Sequence, residues 1–255
     1  MSDKLIHSPI STSPTKILDV GCGTGIVTVT LAKQWRSAEA IGLDLTPVPK
    51  IPGRQLPSNV SFVQGNVLDL GKPGQEKVTN GEIDLIYSRL LLAGMSDWPK
   101  YIKTAALLLK PGDGWLEVHD LDWIWYDGSG KPISNDWGWL RLIDSECQKR
   151  GLEIECGSRA PKYMEQAGLV DIQTVAYEWR NSSAEDEKDD FMKRFSEYTR
   201  IEMPKLIFGF LEMLIEGKGH AKEEVEAWRR QIKTDLAPEK GKHWKFYITY
   251  GRRPD

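Results

Sequence analysis

The sequence predicts an α/β protein built on one doubly wound, largely parallel sheet. Three observations carry that prediction. Short apolar runs alternate with stretches of helical periodicity from Lys16 onward, a glycine-rich turn joins the first run to the first helix, and Asp44 follows directly on the second run.

In chain order, residues 17–20 read as the first strand and 26–35 as the helix behind it. The second strand is expected at 40–43, the third at 60–63 and the fourth at 83–87, with a helix from about 99 to 109. Pro111-Gly112-Asp113-Gly114 is turn chemistry, and 115–119 reads as a fifth strand ending on His119. Segments 136–150 and 160–167 carry helical periodicity, the second stopped by Gly168, and 170–179 alternates as a strand. A charged stretch at 185–190 opens a long amphipathic segment to about residue 215, which Pro204 is expected to break or kink. A helix at 223–235 and a strand of alternating aromatics at 244–250 complete the chain, while residues 1–14, rich in Ser, Pro and Thr, read as irregular. Five strand–helix units followed by two strands, with a helical insertion at about 185–236, imply a single domain over 1–255 with a helical cap.

The bulk properties exclude several classes. At 255 residues the chain is long enough for one large domain with a buried core, and 40% hydrophobic with 28% charged residues is the mix of a soluble globular protein. A formal charge of −3 argues against a broad, charge-driven nucleic-acid surface. No apolar run has the length of a membrane span, and the polar start lacks a signal-peptide core. Cys22, Cys147 and Cys156 have no metal-ligand spacing and read as reduced thiols, so a cytoplasmic protein is expected, with the nucleus as second choice. The four histidines, His7, His119, His220 and His243, also lack ligand spacing, and no metal is expected.

Gly21-Cys-Gly23-Thr-Gly25 lies between a strand and a helix, where missing side chains let the backbone approach a ligand closely. A dinucleotide fingerprint needs G-x-G-x-x-G, and Ile26 stands where its third glycine belongs, which disfavours an NAD-dependent oxidoreductase. Asp44, about twenty residues on, sits where a carboxylate accepts both hydroxyls of a ribose.

With residues 4–10, 17–25, 42–47, 56–62 and 83–89, then Asp97-Trp-Pro99, 109–117 and 243–254, these motifs resemble the class I S-adenosylmethionine-dependent methyltransferases. More narrowly, they look like the fungal methyltransferase-domain family whose founding member is a global regulator of secondary metabolism. The resemblance runs from Lys4 to Pro254. It implies a Rossmann-like class I methyltransferase fold, a seven-stranded sheet in order 3-2-1-4-5-7-6 with the last strand antiparallel, and S-adenosylmethionine as cofactor. It further implies that Asp19, Gly21, Cys22, Gly23, Thr24 and Gly25 cradle the methionine portion and that Asp44, next to Leu45, holds the ribose. Asn66, next to Val67, matches a position commonly held by aspartate near the adenine amine, and Ser88 and Arg89 match groups beside the methionine carboxylate and acceptor. Relatives usually carry covering helices before the Lys4-like segment; here an open pocket, a homodimer or partner subunit, or the segment at 189–216 would take their place.

Methyl transfer to oxygen usually needs a proton removed, and His119, at the carboxyl end of the fifth strand, is the candidate general base, with His243 second. Trp115, Trp123, Trp125 and Tyr126 suggest an aromatic wall for a small-molecule acceptor. The functional expectation is an enzyme methylating a small molecule in fungal secondary metabolism; a regulatory, partner-dependent protein of the same fold is the alternative.

Overall fold

The computed structural model describes residues 4–70, 78–183, 185, 187 and 189–255, so the first three residues of the irregular start and parts of the charged stretch at 185–190 lie outside the described residues. Seven strands form one sheet: β1 (Lys16–Val20), β2 (Glu39–Asp44), β3 (Val60–Gln64), β4 (Leu85–Arg89), β5 (Trp115–Tyr126), β6 (Val170–Arg180) and β7 (His243–Arg252). Their order is β3-β2-β1-β4-β5-β7-β6, as expected. β1 pairs in parallel with β2 and β4, β2 with β3, and β4 with β5. β7 runs against its neighbours. Tyr250 meets Trp115 while Trp244 meets Trp125, and on the other side Thr249 bonds Thr174 while the Asn181 N–H donates to the Lys242 carbonyl.

The helices are α1 (Ile26–Gln34), α2 (Trp98–Leu108), α3 (Gly138–Gln148), α4 (Cys156–Gln166), α5 (Asp190–Ile215) and α6 (Lys222–Asp235). The Asp97 side chain caps α2 by accepting from the Lys100 N–H, and Asp189 caps α5 from the Met192 N–H. No helix among the described residues is long and apolar enough to cross a membrane.

Two expectations are corrected. β5 does not stop at 119 but runs to Tyr126, because Asp120 and Asp122, which look like strand breakers, are buried within it. Asp120 is accommodated by accepting backbone N–H groups, which offsets part of the cost of burying a polar group. Of the break or kink expected at Pro204, the break does not occur, since α5 continues over 26 residues. Proline removes one ladder bond, and the burial of Ile207, Phe208, Leu211, Leu214 and Ile215 outweighs that loss.

The chain divides into two compact units. The first comprises Met1–Leu121, Cys156–Ala176 and Tyr247–Asp255, and its core joins Ile6, Ile17, Leu31, Leu85, Tyr87 and Trp115. The amino-terminal segment is fixed to this core by Glu117, whose carboxylate accepts from the His7 N–H at 2.8 and 3.0 Å and from the Ser8 N–H at 2.7 Å. The second unit comprises Asp122–Glu155 and Tyr177–Phe246 and is filled by indoles. Trp125 lies 5.3 Å from Trp137, 6.1 Å from Trp139 and 6.0 Å from Trp244, and Trp179 stacks on Phe246 at 4.5 Å. The Trp139 N–H donates to Asp235 at the end of α6.

At the start of the sheet, Asp84 gathers two segments. Its Oδ2 accepts from the Thr15 N–H, the Thr15 hydroxyl and the Lys16 N–H, and its Oδ1 pairs with Lys110 at 2.7 Å. Burial alone would raise this carboxyl, but the Lys110 ammonium and the backbone donors hold it below the usual aspartate value. Asp84→Ala is expected to lower the unfolding free energy by about 1.5–3 kcal/mol at neutral pH. A depressed carboxyl stabilises above its unfolded pKa and loses that contribution as pH falls. The gap between wild type and variant in urea denaturation should therefore narrow below about pH 4.

Candidate functional site

β1 ends at Val20, and the chain must then turn into α1 within five residues. Gly21, Gly23 and Gly25 make that turn with φ of 68°, 53° and 73°, the left-handed region that side chains disfavour. The Gly21 and Cys22 N–H groups both donate to the Leu43 carbonyl at 2.8 and 3.1 Å, locking the turn to the end of β2. A side chain at Gly21 would collide with Leu91, and one at Gly25 would lie 2.6 Å from the Phe62 ring. At Gly23 nothing lies within 4 Å, so bare backbone there faces open space.

Asp44 ends β2 beside this turn. Its Oδ2 accepts from the Gly23 N–H at 2.8 Å, and its Oδ1 accepts from the Thr46 N–H and hydroxyl, both at 2.9 Å. Burial opposes ionisation, yet these donors keep the carboxyl below its ordinary value, so it is an anion at neutral pH. With the Leu45 N–H also acting on it, the carboxylate is met by donors at both oxygens.

Asp44 borders a cavity of about 300 Å³. Of the residues expected at the cofactor, Gly21, Asp44, Leu45, Asn66 and Val67 line it. Asn66 caps the short turn Val67–Asp69, its amide oxygen accepting from the Leu68 N–H at 2.9 Å. The other expected residues do not line it. Asp19 is buried against α1, accepting from the Thr28 hydroxyl at 2.6 Å, and burial lifts its carboxyl to about 6. Cys22 is buried, and its thiol is pushed up to about 12, so it is a neutral, packed group. The Thr24 carbonyl accepts from Arg54. Ser88 is buried facing Tyr101 on α2, and Arg89 is exposed at the end of β4, its charge acting on Asp19.

The remaining wall of the cavity comes from the loop after β4, with Leu90, Leu91, Gly94, Met95 and Ser96. Sequence reading missed this loop. Its only signal is an apolar run, Leu90-Leu-Leu-Ala93, placed where a polar connection is expected.

His119 is not at the end of a strand, since β5 continues past it for seven residues. It is level with Arg89 of β4 and buried. Its Nε2 lies 2.7 Å from Glu117 Oε1, its Nδ1 lies 3.3 Å from the Tyr87 hydroxyl, and its ring meets His7 edge-on. It does not line the cavity beside Asp44. Burial would raise Glu117, but His119 and the Ser8 donors hold it low. The aromatic wall is also not assembled. Strand alternation puts Trp115, Trp123 and Trp125 on the face opposite Tyr126. Trp115 belongs to the first core, Trp123 meets Phe210 edge-on, Trp125 joins the indole cluster, and Tyr126 stacks on His243.

Residues 3–149 match the family described as the methyltransferase domain, more than half of the chain. The chain belongs to this methyltransferase-domain family. Among curated relatives, the domain is 30% identical to the secondary metabolism regulator LAE1 of Cochliobolus heterostrophus, over 67% of this chain and 55% of that protein. It is 27% identical to the methyltransferase pytC of Aspergillus terreus, over 88% of this chain and 67% of that one. The chain thus spans about half the length of the first relative and two thirds of the second. Solved structures share the fold. A geranyl diphosphate C-methyltransferase from Streptomyces coelicolor, in complex with S-adenosylhomocysteine, aligns over 96% of this chain and 72% of its own, at a TM-score of 0.54 and 15% identity. The Rossmann-like sheet and the choice of S-adenosylmethionine as cofactor agree with these findings.

The glycine turn yields a test that needs no ligand. Gly25→Ala meets both a strained φ and the Phe62 ring, whereas Gly23→Ala meets only the φ. Thermal denaturation should show Gly23→Ala costing about 1–2 kcal/mol and Gly25→Ala distinctly more. Equal losses would mean that Phe62 yields freely.

Proposed function

We propose that this domain is an S-adenosylmethionine-dependent methyltransferase acting on a small-molecule acceptor in fungal secondary metabolism. The observation that carries the reading is the ionised Asp44, held by the Gly23 N–H of the glycine turn and lining the 300 Å³ cavity together with Gly21. The residues suit the cofactor: the Asp44 anion lines the cavity, where a ribose hydroxyl can donate to it, and no side chain at Gly21 or Gly23 obstructs a methionine chain. Asn66, with Leu45 and Val67 beside it, would hold the adenine edge. Asp19, Cys22, Thr24 and Gly25 would act by keeping the turn in shape, and Ser88 and Arg89 would stand at the methionine carboxylate, where the guanidinium suits an anion. When bound, the cofactor supplies a methyl group on a positively charged sulfur.

The contribution of the chain is positional. Holding donor and acceptor in line can be worth effective molarities of about 10⁵ M or more, without a proton leaving a protein group. We assign catalysis to positioning rather than to His119, whose ring nitrogens face Tyr87 and Glu117. A second reading, a regulatory protein that needs a partner, is favoured by the similarity to LAE1.

Asp44→Ala should weaken S-adenosylmethionine binding about 10- to 150-fold in calorimetry, and an unchanged affinity would remove the ribose assignment. Labelled S-adenosylmethionine incubated with the purified chain and a fungal metabolite extract should yield a labelled small molecule; binding without any transfer would favour the regulator. Once an acceptor is known, His119→Ala should lower turnover less than about tenfold. A loss of about 10²–10⁴ would restore it as general base.

A further inference from the structure

The loop at 90–96 supplies five of the residues lining the cavity, yet it has no regular structure of its own to hold it there. Its first residue, Leu90, is a non-glycine residue at φ 56°, with its side chain 49% exposed. Such a conformation persists only where the surroundings impose it. The constraint comes from two successive residues of β5. The Leu90 N–H donates to the His119 carbonyl at 2.9 Å, and the Leu91 N–H donates to the Asp120 carboxylate at 2.6 Å. The loop then closes on itself, the Gly94 and Met95 N–H groups both donating to the Leu91 carbonyl at 2.8 Å. The Leu91 side chain in turn lies against Gly21 of the glycine turn.

We propose that Asp120 is a positioning residue for the cofactor cavity, acting through the Leu91 N–H to hold the loop at 90–96 against the glycine turn. Asp120 is 1% exposed. Its surroundings are the N–H groups of Leu91, Leu92 and Leu121, the Cys156 thiol from α4 and, from α2, the Tyr101 phenol. No cationic side chain balances its charge in that set. Burial lifts its carboxyl to about 7. The ionised form accepts the Leu91 bond, and a proton added to the carboxylate takes one of its acceptor positions. The grip on the loop therefore tightens as pH rises through about 7.

The inference rests on the cofactor reading above for its functional meaning, but the latch itself is testable without it. Hydrogen exchange at residues 90–96 and calorimetry with S-adenosylhomocysteine are measured for wild type, Asp120→Asn and Asp120→Ala. Asp120→Ala should expose the loop to exchange and weaken binding about 10-fold, while Asp120→Asn, which keeps an acceptor oxygen, should stay within about threefold of wild type. Wild-type affinity should fall more steeply from pH 8 to pH 6 than that of Asp120→Asn, in which Asp19, lifted to about 6, still titrates near that range. If Asp120→Ala fails to fold, the pH comparison between the other two carries the test. Unchanged loop exchange in Asp120→Ala, or the same pH slope in wild type and Asp120→Asn, would overturn the proposal. Absence of S-adenosylhomocysteine binding by wild type would instead defeat the cofactor reading, and loop exchange would still decide the latch.

Discussion

Everything at the candidate site depends on the backbone of three glycines being held left-handed between β1 and α1. That conformation turns the Gly21 and Cys22 N–H groups back onto the Leu43 carbonyl and leaves the Gly23 N–H directed at Asp44. The turn therefore ties the carboxyl ends of two parallel strands together and sets the spacing between an anion and an open stretch of backbone. An ordinary residue costs roughly 1–2 kcal/mol at each such position before any collision. The constraint is thus paid in backbone conformation rather than in side-chain contacts, and it leaves the ligand-facing surface bare.

The parts of the molecule that obey local rules were legible in the sequence. The period-2 and period-3.6 patterns located the seven strands and six helices, all to within a few residues except the end of β5, and the strand order came from the family resemblance. The misreadings share a cause: a residue with a strong local preference was overruled by burial. Asp120 and Asp122 look like the end of a strand, but inside the fold their strand continues. Pro204 looks like a break, but the apolar face of α5 carries the helix through it.

The site was half legible for a related reason. Gly21 and Asp44 announce themselves by spacing, Leu45, Asn66 and Val67 come with the family resemblance, and the cavity gathers all five. Its other wall has no such mark, because Leu90 and Leu91 are placed by what β5 accepts from their backbone, a long-range relation that composition does not encode. His119 shows the converse. Its type and position suggested a base, and only the structure reveals Glu117 and Tyr87 at its two nitrogens. Glu117 also gives the amino-terminal segment, irregular by composition, a fixed seat on the sheet.

The indole cluster has a spectroscopic consequence. Of the ten tryptophans, Trp35, Trp98 and Trp115 fall in the first unit; Trp123, Trp125, Trp137, Trp139, Trp179, Trp228 and Trp244 fall in the second. Around Trp125 the rings stand 5.3 to 6.1 Å apart. The intrinsic ultraviolet emission of the protein is therefore mainly a signal from the second unit, while no tryptophan lines the cavity beside Asp44. Light emitted by this chain therefore reports on the second unit more than on the first.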